Sequence, residues 1–238
     1  MTTGGEPVWD RHPAELALPV VHERGRQTLE RLLDAAEQML DFVGLEGATV
    51  PSIAAGAGVS VGNVYKRFPD KDALLRAVYD RFFTEQLAAT QFALDPAKWA
   101  DTPTIELVTT LVAGMVEDYR SRKSLIRSLL LYAQTHTDSE YRAYAEKLSL
   151  ESFQLFEGVL RDRRADIGHP HPDRAIRFLT GLIGHALQSS VVSEPGTRDL
   201  LSSGSETAAE LAKMVVVYLR VKGTERPRAV SHVRKPSA

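Results

Sequence analysis

Apolar side chains recur at steps of three and four residues along most of the chain, and this spacing places them on one face of an α-helix. The first stripe begins near Arg24 and contains Leu29, Leu32, Leu33, Ala36, Leu40 and Val43. Gly44 and Gly47 follow the stripe, and glycine commonly ends helices because it tolerates positive φ. No stretch of useful length alternates apolar and polar residues, so we predict no β-strand. The pattern predicts an all-α fold.

Residues 49–75 contain two short helical patterns separated by a Gly-Val-Ser turn, and a third pattern follows a Phe-Pro-Asp break. Thr49 and Ser60 are suitable N-caps for the two short helices because their hydroxyls can accept hydrogen bonds from first-turn amides. Alanines and glycines over 54–58 let the two helix axes approach closely. The segment therefore predicts a helix-turn-helix, the hairpin that presents its second helix to the DNA major groove.

The second of these short helices has distinct inner and outer faces. Val64 and Phe68 lie four residues apart and are predicted to point to the core. The outward positions are Gly62, Asn63, Lys66 and Arg67, with Tyr65 at the edge. Asp70 is predicted to cap the next helix, whose buried stripe would be Leu74, Leu75, Val78 and Phe82.

Five further helical patterns follow over residues 105–119, 125–133, 148–160, 173–192 and 205–221. A loop with two prolines, residues 168–172, separates the third from the fourth. Proline-rich residues 1–22 show no sustained period, and we expect a flexible leader there. The tail after Gly223 is predicted to be disordered, although its basic side chains could attract phosphate weakly.

Composition sets broad limits on the class of protein. The chain has 238 residues, of which 43% are hydrophobic and 25% charged, as in ordinary globular proteins. Its apolar runs are short and interrupted by charge, and its start lacks a secretory pattern, so we expect a cytoplasmic protein without a membrane segment. The absence of cysteine excludes disulfides, thiolate nucleophiles and cysteine metal cages.

Local charge matters more for DNA binding than the formal net charge of -2. Lys66, Arg67 and Lys71 lie within six residues, opposed only by Asp70. These cations can neutralise phosphate, and a lysine or arginine can pair with guanine and Asn63 with adenine, each pair being worth about 1–3 kcal/mol of discrimination. The alternative is that these side chains are the solvated surface of an ordinary helical hairpin.

Residues from Arg26 to about Gln86 resemble the TetR family of bacterial regulators. The resemblance consists of a helix ending in glycine, Thr-Val with Ile-Ala shortly after, Ala-Gly-Val-Ser, Gly-Asn-Val-Tyr, a phenylalanine, and Lys71 followed by two leucines. It covers about a quarter of the chain, while the remainder is similar to the family only in the number and layout of its helices. The implied domains are a helix-turn-helix DNA-binding domain over 23–86 and an effector-binding and dimerisation domain over 87–222, between the leader and a basic tail at 223–238.

The resemblance implies that the helix-turn-helix spans residues 49–68, with 61–68 as its recognition helix. The implied DNA-binding residues are Thr49, Ser52, Ser60, Val61, Gly62, Asn63, Tyr65, Lys66, Arg67 and Lys71. Tyr65 and Lys71 match family positions that hold phosphates. Val50 and Pro51 depart from the pattern because their side chains cannot donate hydrogen bonds, so the helix they begin would read few bases.

One recognition helix covers too few base pairs for specificity, so we expect a homodimer on a palindromic operator in double-stranded DNA. The last two predicted helices are apolar on more than one side, as a four-helix dimer interface requires. The predicted interface residues are Ile176, Leu179, Ile183, Leu187, Leu211, Val215 and Leu219. The alternative is that these helices form the core of a single protomer.

The resemblance also implies an unknown small-molecule effector enclosed by the central helices. The candidate lining residues are Val108, Met115, Tyr119, Leu129, Tyr132, Phe153, Phe156 and His185. Methionine and aromatic side chains suit an adaptable apolar cavity. Each of these residues could equally be plain core.

We find no signature of an enzyme and predict no catalytic residue, metal site or cofactor. The His169-Pro170-His171 sequence is interrupted by prolines, so its imidazoles are not aimed at one point, and a solvated loop is the simpler interpretation. Neither a nucleophile elbow nor a zinc-protease motif occurs. We expect a ligand-responsive repressor, and the competing hypothesis is a helical dimeric module that binds small molecules or protein without DNA.

Overall fold

Helices make up nearly all of the chain that the structure, a computed structural model, describes: residues 23–193 and 201–223. They are α1 (Glu23–Gly47), α2 (Val50–Gly56), α3 (Val61–Tyr65), α4 (Lys71–Ala93), α5 (Thr104–Ser121), α6 (Lys123–Thr135), α7 (Ser139–Asp162), α8 (Pro172–Val192) and α9 (Gly204–Leu219). Short 3-10 helices follow α4 and α7. The predicted all-α fold is confirmed, whereas the predicted leader at 1–22 and the basic tail from 224 lie outside the described residues.

Helix α1 buries the predicted apolar stripe from Leu29 to Leu40. Val43, the last residue of that stripe, is exposed instead. It lies one residue before Gly44, whose φ of 72° interrupts the helical backbone. The predicted glycine break is therefore present as a kink near the end of α1.

Helices α2 and α3 begin at the predicted caps. The amide of Ser52 donates to Oγ1 of Thr49, the amide of Thr49 donates to Oγ of Ser52, and the amide of Asn63 donates to Oγ of Ser60. Gly58, with a φ of 66°, supplies the left-handed turn between the helices. These local hydrogen bonds fix the hairpin from within its own sequence.

Helix α3 ends at Tyr65, three residues earlier than predicted. The chain continues as a hydrogen-bonded turn, because the amides of Arg67 and Phe68 both donate to the carbonyl of Val64 at 2.9 Å. Val64 and Phe68 are buried as predicted. Arg67 is thus held beside α3 but lies outside its regular part.

Arg81 of α4 fastens this helix to α1. Its guanidinium contacts Glu37 at 2.6 Å, Asp34 at 2.8 Å and Glu30 at 3.4 Å, three acids on one face of α1. Helix α4 then passes the predicted domain boundary at residue 86 without a break. The same helix therefore holds the helix-turn-helix and contributes to the second half of the molecule.

The second half is a helical layer in which α5 packs on α9, α7 on α8, and α6 on α1. Helix α9 ends at Leu219, two residues before the predicted end, and Val221 instead forms an isolated antiparallel bridge with Ile167. One bridge needs no alternating stretch, so a periodicity argument could not detect it. No helix of the described residues is both long and apolar enough for a membrane crossing.

Candidate DNA-binding surface and effector cavity

The outer face of α3 and the turn that follows it carry positions predicted to contact DNA, and most of these positions are exposed. Val61, Gly62, Asn63 and Lys66 are exposed, and Tyr65 is 51% exposed. Arg67 is half-buried. No acidic residue occurs from Ser60 to Arg67, so an anionic partner meets no like charge there.

Three of the predicted hydroxyl contacts already serve as helix caps. Thr49 and Ser52 form a reciprocal capping pair, and Ser60 caps α3. Lys71, at the start of α4, donates from Nζ to the carbonyl of Leu45 at 3.3 Å. These residues fix the shape of the surface, and their DNA contacts stay predictions.

A cavity of about 440 Å³ lies between α4 and α5, with α6 and α7 closing one side. Its apolar walls include Phe82, Phe83, Leu94, Trp99, Leu111, Met115, Ile126 and Phe153. Three of the predicted lining residues, Met115, Tyr119 and Phe153, belong to this wall. The volume suits a small organic molecule.

Five other predicted lining residues are placed elsewhere. Val108, Leu129 and Phe156 are buried in the core and do not line this cavity. The Tyr132 hydroxyl is bonded to Asp72, and His185 borders a second cavity of about 350 Å³. Periodicity identified these residues as inward-facing, but it does not distinguish a side chain in the core from one on a cavity wall.

Gln86, Asp118 and Arg122 form a polar group in the wall that was not predicted. Gln86 donates to the Asp118 carboxylate and accepts from Nη1 of Arg122 at 2.8 Å. The Arg122 guanidinium also lies over the Phe82 ring, 4.3 Å from its centroid. Gln86, Ala89, Thr90 and Ala93 share one face of α4 and hence one side of the cavity. The sequence shows this spacing, but it does not show that α5 lies opposite this face of α4.

The predicted dimer-interface residues require a correction. Ile176, Leu179, Ile183, Leu187, Val215 and Leu219 are fully buried within the protomer, and Leu211 is half-buried. A side chain already packed in its own core cannot contact a partner. The two apolar sides of α8 were recognised, but the residues chosen belong to the side that faces the protomer's interior.

The opposite sides of α8 and α9 carry an exposed apolar patch, defined by Phe178, Leu182, Val217 and Tyr218. Phe178 is 57% exposed, and its ring centroid is 6.0 Å from that of Tyr218. His169 stacks on Tyr218, with 5.2 Å between centroids. Adjacent exposed aromatic and aliphatic side chains of this kind are typical of an interaction surface.

Helix α6 contacts the half of the molecule that holds the helix-turn-helix, the end of α8 and the cavity. At its start the amide of Leu125 donates to the Asp41 carboxylate of α1 at 3.1 Å. At its end the Tyr132 hydroxyl donates to the Asp72 carboxylate of α4 at 2.7 Å. Between them Arg127 donates to the last carbonyls of α8, including that of Val192 at 2.6 Å. Ile126 of the same helix lines the cavity.

The His169-Pro-His171 sequence precedes α8. Nδ1 of His169 accepts from the amide of His171 at 3.0 Å, and its ring stacks on Tyr218. Within residues 23–193 and 201–223, no group of three histidine or acidic side chains is arranged to hold a metal ion. The imidazole of His169 therefore supports the apolar patch.

The comparisons with known proteins agree with this architecture. The family described as "Bacterial regulatory proteins, tetR family" matches residues 32–78, from α1 to α4. The HTH-type transcriptional regulator BetI of Stenotrophomonas maltophilia is 28% identical over 165 residues, covering 68% of this chain and 81% of that protein.

Two solved structures share the fold over most of the chain. A putative TetR-family regulator from Mesorhizobium loti has a TM-score of 0.62 at 16% identity, covering 82% of this chain and 98% of that one. The regulator FadR of Bacillus subtilis, solved in complex with stearoyl-CoA, has a TM-score of 0.60 at 15% identity, covering 82% and 99%. Residues 32–78, which include the capped helix-turn-helix, match the DNA-binding domain of the TetR family, and the chain as a whole is similar to TetR-family transcriptional regulators.

Proposed function

We propose that the chain acts as a homodimer that binds a palindromic operator through α3 and releases it when a small molecule occupies the cavity. The observation that carries the DNA-binding assignment is the outer face of α3. It combines Asn63, Tyr65 and Lys66 without an acidic neighbour. These side chains supply donors for base edges and phosphates, while the caps hold the backbone in place.

The exposed apolar patch supports a dimer. Phe178 and Leu182 on α8 lie beside Val217 and Tyr218 on α9. Two copies of such a surface would form a four-helix interface about a twofold axis. The axis would relate two α3 helices, which then suit half-sites about one turn of DNA apart.

The shape of the cavity favours an elongated effector. Its lining extends from Phe82 in α4 to Leu94 just after that helix, and from Thr110 in α5 to Arg122 just after that helix. At 1.5 Å per residue, each wall is about 18 Å long. Most of the lining is apolar, and the Gln86, Asp118 and Arg122 group lies towards one end. We infer a mainly apolar molecule with one polar end, and the stearoyl-CoA held by Bacillus subtilis FadR is a molecule of this general shape.

Occupation of the cavity would act on DNA binding through α6. Ile126 and the preceding Arg122 line the cavity, while Leu125 and Tyr132 are bonded to α1 and α4. A ligand that favours another position of α6 would therefore shift the population of conformers in which both α3 helices fit successive major grooves.

Selection of bound fragments from a genomic DNA pool tests the proposal. We expect ligand-free protein to enrich fragments with an inverted repeat and to lose them as salt concentration rises. A variant with Asn63, Lys66 and Arg67 replaced by alanine should enrich none. The hypothesis of a helical module that does not use DNA is not favoured, because it gives no reason for the family match over the helix-turn-helix. That module would be supported if no duplex were retained at low ionic strength.

A further inference from the structure

Arg76 of α4 has a carboxyl-bearing residue one helical turn away on either side, Asp72 before it and Asp80 after it. Its Nε donates to the Asp72 carboxylate at 2.9 Å, and its Nη1 lies 3.6 Å from the Asp138 carboxylate at the start of α7. Residues four apart on a helix are neighbours, so Asp80 is within one turn of the same guanidinium. In the part of the chain that the structure describes, the carboxylates that Arg76 pairs with are those of Asp72 and Asp138, and its guanidinium also lies over the Tyr141 ring, 4.5 Å from the centroid.

The Asp72 side of Arg76 joins the helix-turn-helix to the second half of the molecule. Asp72 is the second residue of α4, and it accepts from the Tyr132 hydroxyl at 2.7 Å. Nε2 of His136 lies 2.9 Å from the same oxygen. Nδ1 of His136 accepts from the amide of Asp138, so Nε2 carries the proton and donates to Asp72. Burial acts to raise the pKa of Asp72, but the hydrogen bonds from Tyr132, Arg76 and His136 outweigh it and lower that pKa.

The carboxyl group of Asp80 is buried and, unlike that of Asp72, has its pKa raised. Asp80 is 1% exposed, and neither of its carboxylate oxygens has a partner with full hydrogen-bond geometry among the described residues, although the Tyr144 hydroxyl of α7 lies near enough to interact with it. The buried hydroxyl of Tyr141 on α7 is also unpartnered in that part of the chain. An ionised carboxylate in such a place is costly, whereas a protonated one is tolerated.

The groups that face Asp80 come from two helices. Tyr144 and Tyr141 approach from α7, and Arg76 and the buried Tyr79 belong to α4. Burial raises the pKa of Asp80 to about 7. The interaction with the Tyr144 hydroxyl and the positive charge of Arg76 lower this pKa, but by less than burial raises it. The nearby positive charge is that of Arg76, whose guanidinium is hydrogen-bonded to Asp72.

We propose that Asp72, Arg76 and Asp80 form a proton-operated switch that sets how firmly the helix-turn-helix is held. With Asp80 protonated, Arg76 stays with Asp72 and Asp138, and the start of α4 is fixed to α6 and α7. When Asp80 loses its proton, the buried charge competes for Arg76 and draws it one turn along α4. The start of α4 then loses a restraint, and DNA affinity falls as pH rises. This inference rests on the proposed DNA-binding function.

The Asp80 carboxyl group also determines how the free energy of unfolding changes with pH. An unfolded chain releases the Asp80 proton near the ordinary aspartate value of 3.8, but the folded protein retains it up to about 7. Between these values the folded state binds more protons, so stability falls with rising pH and levels off above about 7. Asp80→Asn has the shape of the protonated side chain and should abolish this part of the pH dependence.

The test compares wild type, Asp80→Asn and Glu106→Gln for binding to a DNA fragment recovered by the selection above. Binding is measured at constant ionic strength from about pH 6 to pH 8.5, a range that brackets the pKa of Asp80. Glu106 is exposed on α5, so this control removes a surface charge of the same sign. We expect wild type and the control to lose about fivefold in affinity with a midpoint near 7, a modest coupling. Asp80→Asn should keep its low-pH affinity throughout.

Thermal unfolding of the same three proteins shows whether Asp80→Asn is folded and whether it has lost the pH dependence of stability. The switch is refuted if Asp80→Asn and wild type lose DNA affinity in parallel, even when their stabilities diverge. It is also refuted if wild-type affinity does not change across this range. Failure of every protein to bind duplex DNA at any pH would instead refute the proposed function itself.

Discussion

The Asp41 carboxylate accepts a hydrogen bond from the Leu125 amide at 3.1 Å, so the first helix caps the start of a helix from the second half of the molecule. Helix α6 has no side-chain cap of its own, because Arg122 at its N-cap position makes no such bond. The Ser128 hydroxyl adds a bond to the Leu40 carbonyl at 2.9 Å. The two halves of the molecule are therefore joined by a cap that belongs to one half and a helix that belongs to the other.

Removal of the Asp41 cap should weaken this junction. We expect Asp41→Ala to lower the free energy of unfolding by about 1 kcal/mol, as for other lost N-caps. Denaturant unfolding measures the change. Asp95→Ala is a matched control, because Asp95 caps only the short 3-10 helix after α4. If the Asp41 and Asp95 variants also changed DNA affinity equally, the junction would have no special part in holding the helix-turn-helix.

Tyr65 and Lys71 are predicted to hold phosphates rather than to read bases. Tyr65→Phe and Lys71→Ala should therefore weaken binding to every duplex alike, and Lys71→Ala should reduce the salt slope by about one. Binding isotherms on two unrelated duplexes at several salt concentrations measure both effects. Lys147→Ala, an exposed lysine on α7, should change neither. A change of sequence preference without uniform weakening would show that these residues read bases.

The apolar patch on α8 and α9 predicts how the dimer can be separated. Phe178→Glu should place a charge in the interface and weaken dimerisation by about 2 kcal/mol or more, as at other interface hot spots. Light scattering at micromolar concentration gives the molar mass. Phe92→Glu is the control, because Phe92 is also exposed, at 73%, but lies on α4, away from the patch. A dimer unaffected by Phe178→Glu would place the interface elsewhere.

The cavity can be altered from outside its wall. A methyl group at Gly184 of α8 would lie 3.1 Å from the ring of Phe153, which lines the cavity. Gly184→Ala should therefore push this ring inward and weaken binding of an apolar fluorescent probe such as anilinonaphthalene sulfonate by about 1–3 kcal/mol. Gly158→Ala on α7 meets no atom within 4 Å and serves as the control. Equal probe binding by both variants would place the probe outside this cavity.

The helix-turn-helix was predictable because its determinants are local. Thr49, Gly58 and Ser60 act on amides or turns within three residues, so their spacing alone specifies the hairpin. The end of α3 was less certain, since the turn after Tyr65 keeps helix-like hydrogen bonds without regular helical geometry. Apolar periodicity likewise located every later α-helix of the described residues, but not the two short 3-10 helices at Pro96–Trp99 and Arg164–Asp166.

The cavity and the interface were harder to predict because both depend on which helices meet. The apolar residues of α8 indicate two partners, but Ile183 and Leu182 are adjacent in the sequence and only packing shows that the first is buried and the second exposed. The contacts of Asp72 with Tyr132 and His136 span about sixty residues, beyond any local pattern. For the same reason the buried Asp80 resembled any polar residue of a helix.

The most direct test of the account is the salt dependence of binding between ligand-free protein and a short duplex that carries the selected inverted repeat. We expect the logarithm of the association constant to fall linearly with the logarithm of salt concentration, as for proteins that displace counterions from phosphates. Replacement of Lys66 and Arg67 by alanine should make that slope shallower. Absence of salt-sensitive binding to any duplex at low ionic strength would contradict the assignment of α3 as a DNA-binding helix.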